Sequence, residues 1–498
     1  MLPIVRFLRI KIHQYQHRNP FGFILTVGVI IRLIAAFFSE GYVFNFEHFD
    51  VIEPSYNAPA NFDTQKPYPF YFMLHQAMFS VMQSLNIISP HSQMLIIRLI
   101  HAFFSIISLL FGYRLARAAG DKRGTYLAFS FLSFAWIIPF ISVRTYAFNL
   151  AMPFIIMAVW LARISLKKYY FTSFLSGLAG GLSIAFYPYA AVYWLIFILF
   201  TLVIHKPRRF LLLLLGTWIS LFLSLWSIHL IEVSSPLSVW TYLWQNLHPE
   251  QIAVNTSGWM GPVILALVLG PPLGFFVLFG FLRLRKDTIR IAAPALICFL
   301  VSTFFQNQFH QLVIAFPFIV ITGSHGWSNF IEKGNSWVGR YKSLYYAMLG
   351  YFWTANSILL IWISTVAPHQ PLIEALQYIG KTQKINTIVV VQPSYDFFEP
   401  IPVYYAGKSF QVKYISNSDD LDALNLFIQT HSSDSLPAYV LFLGENDLKQ
   451  KVKLVSQILP YLSVEEIFKS GFTERQIRKI LRQPTSGSVI VYKNNYFY

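Results

Sequence analysis

The chain has 498 residues, of which 55% are hydrophobic and only 12% are charged, and this composition excludes an ordinary soluble globular domain. A formal net charge of +16 is also seen in nucleic-acid-binding proteins, but in a membrane protein Lys and Arg concentrate in the loops that face the cytoplasm. The single cysteine, Cys298, excludes a disulfide framework. We therefore expect an integral membrane protein.

Apolar runs along the chain predict the membrane spans, because a helix needs roughly 17 to 25 mostly apolar residues to cross the hydrocarbon layer. About eleven such runs occur, and they predict a polytopic α-helical membrane protein. Their approximate limits are 21–39, 94–112, 124–141, 147–163, 171–187, 189–204, 209–230, 259–282, 290–306, 311–325 and 344–366. A twelfth apolar run, residues 69–87, contains several polar residues, and we interpret it as a helix on the membrane surface rather than a span.

Basic residues predict the orientation. If residues 69–87 lie on the surface, the loops assigned to the outside contain only two basic residues before the tail, Lys66 and Arg144. The positive-inside rule then places the N-terminus in the cytoplasm and residues 40–93 outside.

The tail loses the membrane composition. Its short apolar runs TIVVVQ, FQVKYI, YVLFLG and SVIVY predict strands, and the polar stretches DLDALNLFIQ and LKQKVKLVSQIL between them predict helices. The sequence thus predicts two domains. Residues 1–366 form a transmembrane catalytic domain with an outer loop and surface helix at 40–93, and residues 367–498 form a small soluble α/β domain outside, with an accessory or substrate-guiding role.

Acidic residues are concentrated in the first outer loop, FNFEHFDVIEPSYNAPANFD (44–63), which contains Glu47, Asp50, Glu53 and Asp63. Such carboxylates can be solvated, can bind a cation or can act as a general base. Aromatic residues alternate with the acids, which indicates a packed loop, and packing raises carboxylate pKa values toward those useful for proton transfer.

Three further groups are predicted at the same membrane face. Arg98 and His101 lie in RLIHAFFS, Arg144 in ISVRTYAFN and His310 in QNQFHQ. Charged residues beside spans are costly unless they are paired or functional, so Arg98 either pairs with an acid of the first loop or binds phosphate, and Arg144 is predicted to bind phosphate. A carboxylate base and phosphate-binding cations fit transfer of a sugar from a polyprenyl phosphate carrier.

These motifs resemble those of the polyprenyl-phosphate-dependent glycosyltransferases with the C-type fold (GT-C), and most closely the mannosyltransferases of GPI anchors and dolichol-linked oligosaccharides. EHFDVIEP resembles the HPDE-like motif of that group at His48 and Asp50, with Val51 at the second acid. The RLxHAxxS pattern is matched at Arg98, Leu99, His101, Ala102 and Ser105, and the RTxxN pattern at Arg144, Thr145 and, displaced by one, Asn149. QNQFHQLVIAFP resembles the HKExRFxxPxxP-like stretch at His310 and Pro317.

The resemblance implies that Asp50 is the general base and that the reaction inverts the anomeric carbon. It implies a polyprenyl- or dolichyl-phosphate sugar as donor, with mannose as the first candidate, and a glycan or glycolipid acceptor. Glu53, one turn along, is hypothesised to replace the missing second acid. The residues predicted to contact substrate or phosphate are Glu47, His48, Arg98, His101, Arg144 and His310. No cofactor, metal ion or nucleic acid is expected.

Besides a nonenzymatic membrane scaffold that presents the outside tail, two other interpretations remain open at the level of sequence. The first is a GT-C transferase that attaches a different sugar to lipid A or to protein. The second is a transporter or flippase for a lipid-linked sugar, although such proteins usually show internal repeats and polar residues near the midplane. The end of the chain, KNNYFY, carries no retrieval signal, so we expect a bacterial or archaeal cytoplasmic membrane rather than the endoplasmic reticulum.

Overall fold

The structure is a computed structural model of the chain. It describes residues 14, 18–42, 48–57, 68–165, 170–204, 207–227, 270, 274, 277–278, 280, 284, 288–305, 313–332, 342–364, 366–382, 385–393, 398–430, 436–445, 447–472, 475 and 487–497. The chain divides into two compact units. The first comprises Met1–Phe37, Asn61–Leu74 and Ile97–Thr365, and the second comprises Phe38–Ala60, His75–Ile96 and Val366–Tyr498.

Helices make up most of the described chain before the tail. In chain order they are α1 Pro20–Phe38, α2 Glu53–Asn57, α3 Pro69–Ser84, α4 Pro90–Ala119, α5 Lys122–Phe134, α6 Ile138–Ser142, α7 Ala147–Ser165, α8 Tyr170–Phe186, α9 Ala190–Ile204, α10 Pro207–Trp226, α11 Ile289–Phe305, α12 Phe316–Glu332 and α13 Lys342–Ser364. A π-helical turn, His48–Ile52, directly precedes α2.

Five of the described helices are long and apolar enough to cross a membrane. They are Pro20–Phe38, Pro90–Ala119, Ala147–Ile164, Pro207–Trp226 and Tyr346–Ser364. Shorter apolar helices occupy Tyr170–Phe186, Ala190–Leu202 and Ile289–Leu300. Most of the predicted run 259–282 lies outside the described residues, so the number of eleven spans stays a prediction, as does the surface position of α3.

The predicted run 124–141 is not one continuous helix, and this expectation was wrong. The helix α5 ends at Phe134, and α6 begins at Ile138 with Pro139 in its first turn. Proline has no backbone N–H and cannot extend a preceding helix. Two distant side chains bind the end of α5: Arg32 of α1 contacts carbonyls of its last turn, and Asn356 of α13 donates to the Phe134 carbonyl. The break is therefore held by tertiary contacts that the local apolar pattern does not show.

Close packing of α8 and α10 depends on glycine. A Cβ atom at Gly177 would overlap the Leu213 carbonyl oxygen, and one at Gly216 would overlap the Phe174 carbonyl oxygen. Small residues allow helix backbones to approach closely, which is a common way for helices to associate in membranes. The two glycines thus fix the distance between these helices.

The tail forms a five-stranded mixed sheet. Its strands are β1 Thr387–Val391, β2 Gln411–Ile415, β3 Pro437–Leu443, β4 Leu462–Phe468 and β5 Val489–Asn494, in the order β2-β1-β3-β5-β4. The strand β1 is parallel to β2 and β3, and β5 is antiparallel to β3 and β4. Among the described residues of the tail, three α-helices accompany the sheet: α14 Gln370–Gly380, α15 Ser418–Thr430 and α16 Leu448–Ser456.

Apolar side chains cover both faces of this sheet. Val389 and Val391 join Leu424 of α15 and Val455 of α16 in one core cluster. Neighbouring β1 side chains, which point to the opposite face, are also fully buried. Strands occupy all four of the apolar runs noted in the sequence. The fifth strand, β4, was not predicted, because its sequence LSVEEIF leaves mostly exposed residues on an edge strand. The compact unit that contains the sheet also takes in residues 38–60 and 75–96, and the division into domains at 366 and 367 stays a prediction.

Candidate active site

The acidic turn His48–Ile52 contains Asp50, the predicted base. His48, Val51 and Ile52 are buried, whereas Asp50 is half-buried. π-Helical turns are rare and occur frequently at functional sites, because they reorient side chains that a regular helix would align. The local geometry thus presents Asp50 at the edge of a packed turn. Glu47 and His310 lie outside the described residues.

Four aromatic rings form a continuous stack on this turn. His48 lies between Tyr42 and Tyr405, with centroid distances of 4.8 and 5.4 Å and interplanar angles of 15° and 6°. Tyr42 also stacks on His369 at 4.3 Å. Offset-stacked aromatic pairs contribute packing energy beyond their buried area. The stack therefore fixes the start of the acidic turn.

His48 is uncharged in this position. Burial, followed by repulsion from His369, lowers the pKa of His48 to about 3. Neither ring nitrogen has a hydrogen-bond partner within the part of the chain that the structure describes. The geometry gives His48 no charge with which to bind a phosphate, so its predicted binding role would have to use a neutral ring.

Glu53 has a contact that the sequence did not reveal. Its carboxylate accepts a hydrogen bond of 2.9 Å from the backbone N–H of Tyr404 and another from that of Val403. These N–H groups lie at the start of the 3-10 turn Val403–Ala406. Burial raises the pKa of Glu53 to about 7, although the two N–H donors oppose this effect. The carboxylate thus acts as a cap for a turn of the tail, and its hypothesised catalytic role stays a prediction.

The predicted residues of α4 belong to the other compact unit. His101 is fully buried, and its Nδ1 lies 2.8 Å from the Ile97 carbonyl oxygen. A carbonyl can only accept, so Nδ1 carries the proton and Nε2 accepts from the Tyr71 hydroxyl at 2.9 Å. Both ring nitrogens are therefore used within the fold. Arg98, one turn earlier, is also buried, with 3% of its surface exposed.

Arg144 is buried in the same unit as Arg98 and His101. Its guanidinium carbon lies 4.5 Å from the centroid of the Phe140 ring, which is a cation–π contact. The Asn149 side chain donates to the carbonyl oxygens of Ile141 and Arg144, at 2.7 and 2.9 Å. The matched RTxxN residues therefore stabilise the irregular turn between α6 and α7.

Arg32 of α1 is a buried cation that lies in none of the sequence motifs. It is fully buried, and it donates to the Ser105 hydroxyl at 2.7 Å and to the carbonyl oxygens of Leu132 and Ser133 at 3.1 Å each. A cation at a helix C-terminus is stabilised by the carbonyl dipoles there. The sequence feature that could have identified Arg32 is an arginine inside an otherwise apolar run.

A cavity of about 110 Å³ lies beside Arg32. Its lining is mostly apolar, with a few polar groups. The lining residues are Arg32, Ser105, Ser108, Leu109, Leu132, Ile137, Ile138, Ile141, Ser142, Phe148, Asn149, Met152, Ile156, Val313, Phe316 and Pro317. An apolar lining with few polar groups is common in ligand pockets, but this cavity is smaller than the roughly 300 to 1,000 Å³ usual for them. No cluster of three or more potential metal ligands occurs among the described residues.

Comparison with known proteins gives a partial family match. Residues 23–234 match the sequence model of the Alg9-like mannosyltransferase family. This range includes the acidic turn, the RLxHAxxS pattern and the RTxxN pattern. A search of curated proteins found no significant match.

Several solved structures share the fold. ArnT from Cupriavidus metallidurans in the apo state has a TM-score of 0.62 and 11% identity, covering 95% of this chain and 97% of that one. The same protein bound to undecaprenyl phosphate has a TM-score of 0.60 and 11% identity, covering 95% and 98%. The arabinofuranosyltransferase AftD from Mycobacteria has a TM-score of 0.52 and 14% identity, covering 94% of this chain and 41% of that one.

The apolar helices and this shared fold indicate an integral membrane protein. The resemblance stated from the motifs is confirmed by the family match and by the fold. The chain is thus a glycosyltransferase with the C-type fold, and its residues 23–234 match the Alg9-like mannosyltransferase family.

Proposed function

We propose that the protein transfers a sugar, with mannose as the first candidate, from a polyprenyl- or dolichyl-phosphate carrier to a hydroxyl group of a glycan or glycolipid. The observation that carries this proposal is the family match over the segment that contains Asp50. The fold shared with ArnT, which was solved with undecaprenyl phosphate bound, supports a lipid-linked donor. The reaction takes place at the non-cytoplasmic face, and a bacterial or archaeal cytoplasmic membrane is the proposed location.

Asp50 is the proposed general base. Its carboxylate takes the proton of the acceptor hydroxyl while that oxygen attacks the anomeric carbon. The bond from the anomeric carbon to the phosphate oxygen breaks, and the polyprenyl phosphate leaves with both electrons of that bond. Attack opposite to the leaving group inverts the anomeric carbon. A half-buried position fits this role, because the carboxylate remains reachable while the turn around it is fixed.

Arg98, Arg144 and His310 are the proposed phosphate ligands, and no metal ion is required. Arginine can neutralise a phosphate and donate two hydrogen bonds to it. His101 supports this set indirectly, because its contacts with Tyr71 and Ile97 fix the helix turn that carries Arg98. The apolar cavity beside Arg32 is a candidate position for part of the carrier's hydrocarbon chain.

The test compares wild type with Asp50→Asn, both purified in detergent, for release of polyprenyl phosphate from a panel of polyprenyl-phosphate sugars with membrane-extract acceptors. We expect the variant to lose at least about a hundredfold in kcat, as is typical when a general base is removed. Glu40→Gln is the matched control, because Glu40 is an acid of the same compact unit that pairs with His91 at 2.9 Å. It should retain wild-type turnover. Activity that persists in EDTA would support the absence of a metal requirement.

Other outcomes would change the proposal in defined ways. Turnover only with a pentose or uronic acid donor would exclude mannose and favour a transferase acting on lipid A or protein. Equal turnover by Asp50→Asn and wild type would contradict the role of Asp50. Movement of a lipid-linked sugar across vesicles without release of polyprenyl phosphate would favour a transporter.

A further inference from the structure

The 3-10 turn Val403–Ala406 of the tail contacts several parts of the outer loop within one compact unit. The Tyr404 hydroxyl donates to the Gln93 side chain at 2.9 Å. Its ring lies 4.9 Å from the Tyr56 ring of α2 and 5.7 Å from the Phe79 ring of α3. One tyrosine of the tail thus holds three separate segments of the outer loop.

Its neighbour, Tyr405, contacts the acidic turn directly. The Tyr405 ring stacks on His48, the first residue of that turn, and only 4% of Tyr405 is exposed. On the other side of the turn, the Glu53 carboxylate accepts from the backbone N–H of Tyr404. The acidic turn is therefore held at both ends, by a ring on His48 and by N–H donors on Glu53.

We infer that the Val403–Ala406 turn is a positioning element for catalysis, in which Tyr405 orients Asp50 by stacking on His48. The tail is then a working part of the active site rather than an accessory domain. This inference rests on the proposed role of Asp50 as the base, which lies two residues after His48. Tyr405 itself is a positioning residue and touches no reacting atom.

Asp50 must be held in position because proton transfer requires precise placement of the base. A base must lie within hydrogen-bond reach of the proton that it takes, and a displacement of about 1 Å can reduce turnover about a hundredfold. The π-helical turn has only five residues and lacks the regular hydrogen bonds of a long helix. External contacts must therefore define its conformation. The tail supplies contacts at both ends of the turn, from Tyr405 on His48 and from the Tyr404 N–H on Glu53, in addition to the Tyr42 ring on His48.

Three variants separate this role from general stability. Tyr405→Ala removes the ring that stacks on His48, whereas Tyr405→Phe keeps the ring and removes only the hydroxyl. Tyr439→Ala is the matched control, because Tyr439 is 3% exposed and its hydroxyl contacts Thr382 at 2.9 Å rather than the outer loop. If Tyr405→Ala does not yield folded protein, Tyr405→Leu keeps apolar volume without a ring to stack.

Two measurements are made on the full-length protein in detergent. Hydrogen–deuterium exchange is followed in peptides that cover residues 48–57, and kcat and KM are measured with the polyprenyl-phosphate donor. We expect Tyr405→Ala to accelerate exchange in this segment and to lower kcat at least about tenfold, while KM stays within about twofold. In Tyr405→Phe and in Tyr439→Ala, the exchange rate of residues 48–57 and kcat should both stay near their wild-type values.

The inference is overturned if Tyr405→Ala shows wild-type exchange and wild-type kcat, or if Tyr439→Ala produces the same changes as Tyr405→Ala. A wild-type protein that transfers no sugar from any donor would instead contradict the proposed function. The exchange measurement needs no turnover, so in that case it still decides whether the tail holds the acidic turn.

Discussion

The Glu53 carboxylate accepts a hydrogen bond of 2.9 Å from the backbone N–H of Tyr404, although the two residues are 351 positions apart in the chain. This contact joins the outer loop to the tail within one compact unit. It also places the Glu53 carboxyl group, whose pKa is raised, against two backbone N–H donors. The protonation state of this contact therefore depends on pH.

Glu53 makes the stability of this unit depend on pH near neutrality. Burial raises the pKa of Glu53 from 4.5 to about 7 in the folded protein. Since the folded state holds its proton more tightly, the contribution to stability is fully present below about pH 4.5 and is lost as pH rises through about 7. Glu53→Gln cannot ionise but can still accept from Tyr404. Thermal unfolding of wild type and variant from pH 5 to 8 should show that the variant loses less stability, with a difference of at most about 3 kcal/mol.

The same variant tests the hypothesised catalytic role. If Glu53 only caps the tail turn, Glu53→Gln should retain turnover. If Glu53 replaces the second acid of the family motif, turnover should fall even though the protein is folded. A pH profile of stability identical to that of wild type would contradict the structural role.

Arg32 should be essential for the junction of α1, α4 and α5. Arg32→Met removes a buried donor from the Ser105 hydroxyl and from two carbonyl oxygens at the end of α5. We expect a loss of about 2 to 4 kcal/mol in stability, because a charged hydrogen-bond donor is lost and buried acceptors are left behind. Thermal unfolding in detergent measures this loss. Arg163→Met is the control, since Arg163 also donates to a helix carbonyl, that of Ala118, but is only partly buried and makes this bond at the surface. Equal effects of the two substitutions would show that burial of Arg32 is not decisive.

The sequence predicted local features better than distant contacts. The apolar run TIVVVQ predicted β1, whose residues are buried on both faces. The aromatic residues among the acids of the outer loop predicted packing there, and the structure buries His48, Val51 and Ile52 beside Asp50. The end of α5 was missed because its partners, Arg32 and Asn356, lie about a hundred or more residues away, at separations of 100 and 222. The cap that Glu53 of the outer loop provides for the tail turn was not predicted either, because its partner Tyr404 is also distant in the chain.

Residues of the RLxHAxxS pattern illustrate the limit of motif reasoning. The pattern predicted substrate contact, whereas the structure gives several of its residues internal partners. Ala102 packs with Ala35, Ala36 and Val143, and Ser105 accepts from Arg32. A motif therefore identifies both residues that stabilise the fold and residues that contact substrate. Their contacts in the structure are needed to tell the two roles apart.

The contact between α8 and α10 should tolerate no side chain at Gly177. Gly177→Ala places a Cβ atom against the Leu213 carbonyl oxygen and forces the helices apart, so we expect a loss of at least about 2 kcal/mol in stability. Gly350→Ala is the matched control in α13, because no atom lies within 4 Å of a Cβ atom there. It should be neutral or stabilising by up to about 1 kcal/mol, as alanine favours helix. Thermal unfolding of both variants measures the contrast, and equal Tm values would contradict the close packing.

Asp121 should make stability depend on pH in the acidic range. Its carboxylate caps α5 by accepting from the Gly124 N–H at 2.8 Å, and it also accepts from Ser328 at 2.8 Å and lies 3.1 Å from His325 Nδ1. Burial alone would raise the pKa of Asp121, but these hydrogen bonds lower it from 3.8 to about 2. The stabilisation is therefore present above about pH 4 and is lost as pH falls through about 2.

Asp121→Asn separates the charge of this cap from its geometry. The amide oxygen can still accept from Gly124, so the helix cap remains, while the ionisable group and its attraction for His325 are lost. We expect a lower Tm at pH 7 and a smaller further decrease between pH 4 and 2 than in wild type. Ser328→Ala is a useful comparison, because it removes one neutral donor and leaves the charge in place. Two results together would contradict a role for the charge of Asp121: an equal loss of Tm in Asp121→Asn and Ser328→Ala at pH 7, and a wild-type fall in Tm between pH 4 and 2 in both variants. The cap would then act through hydrogen bonds alone.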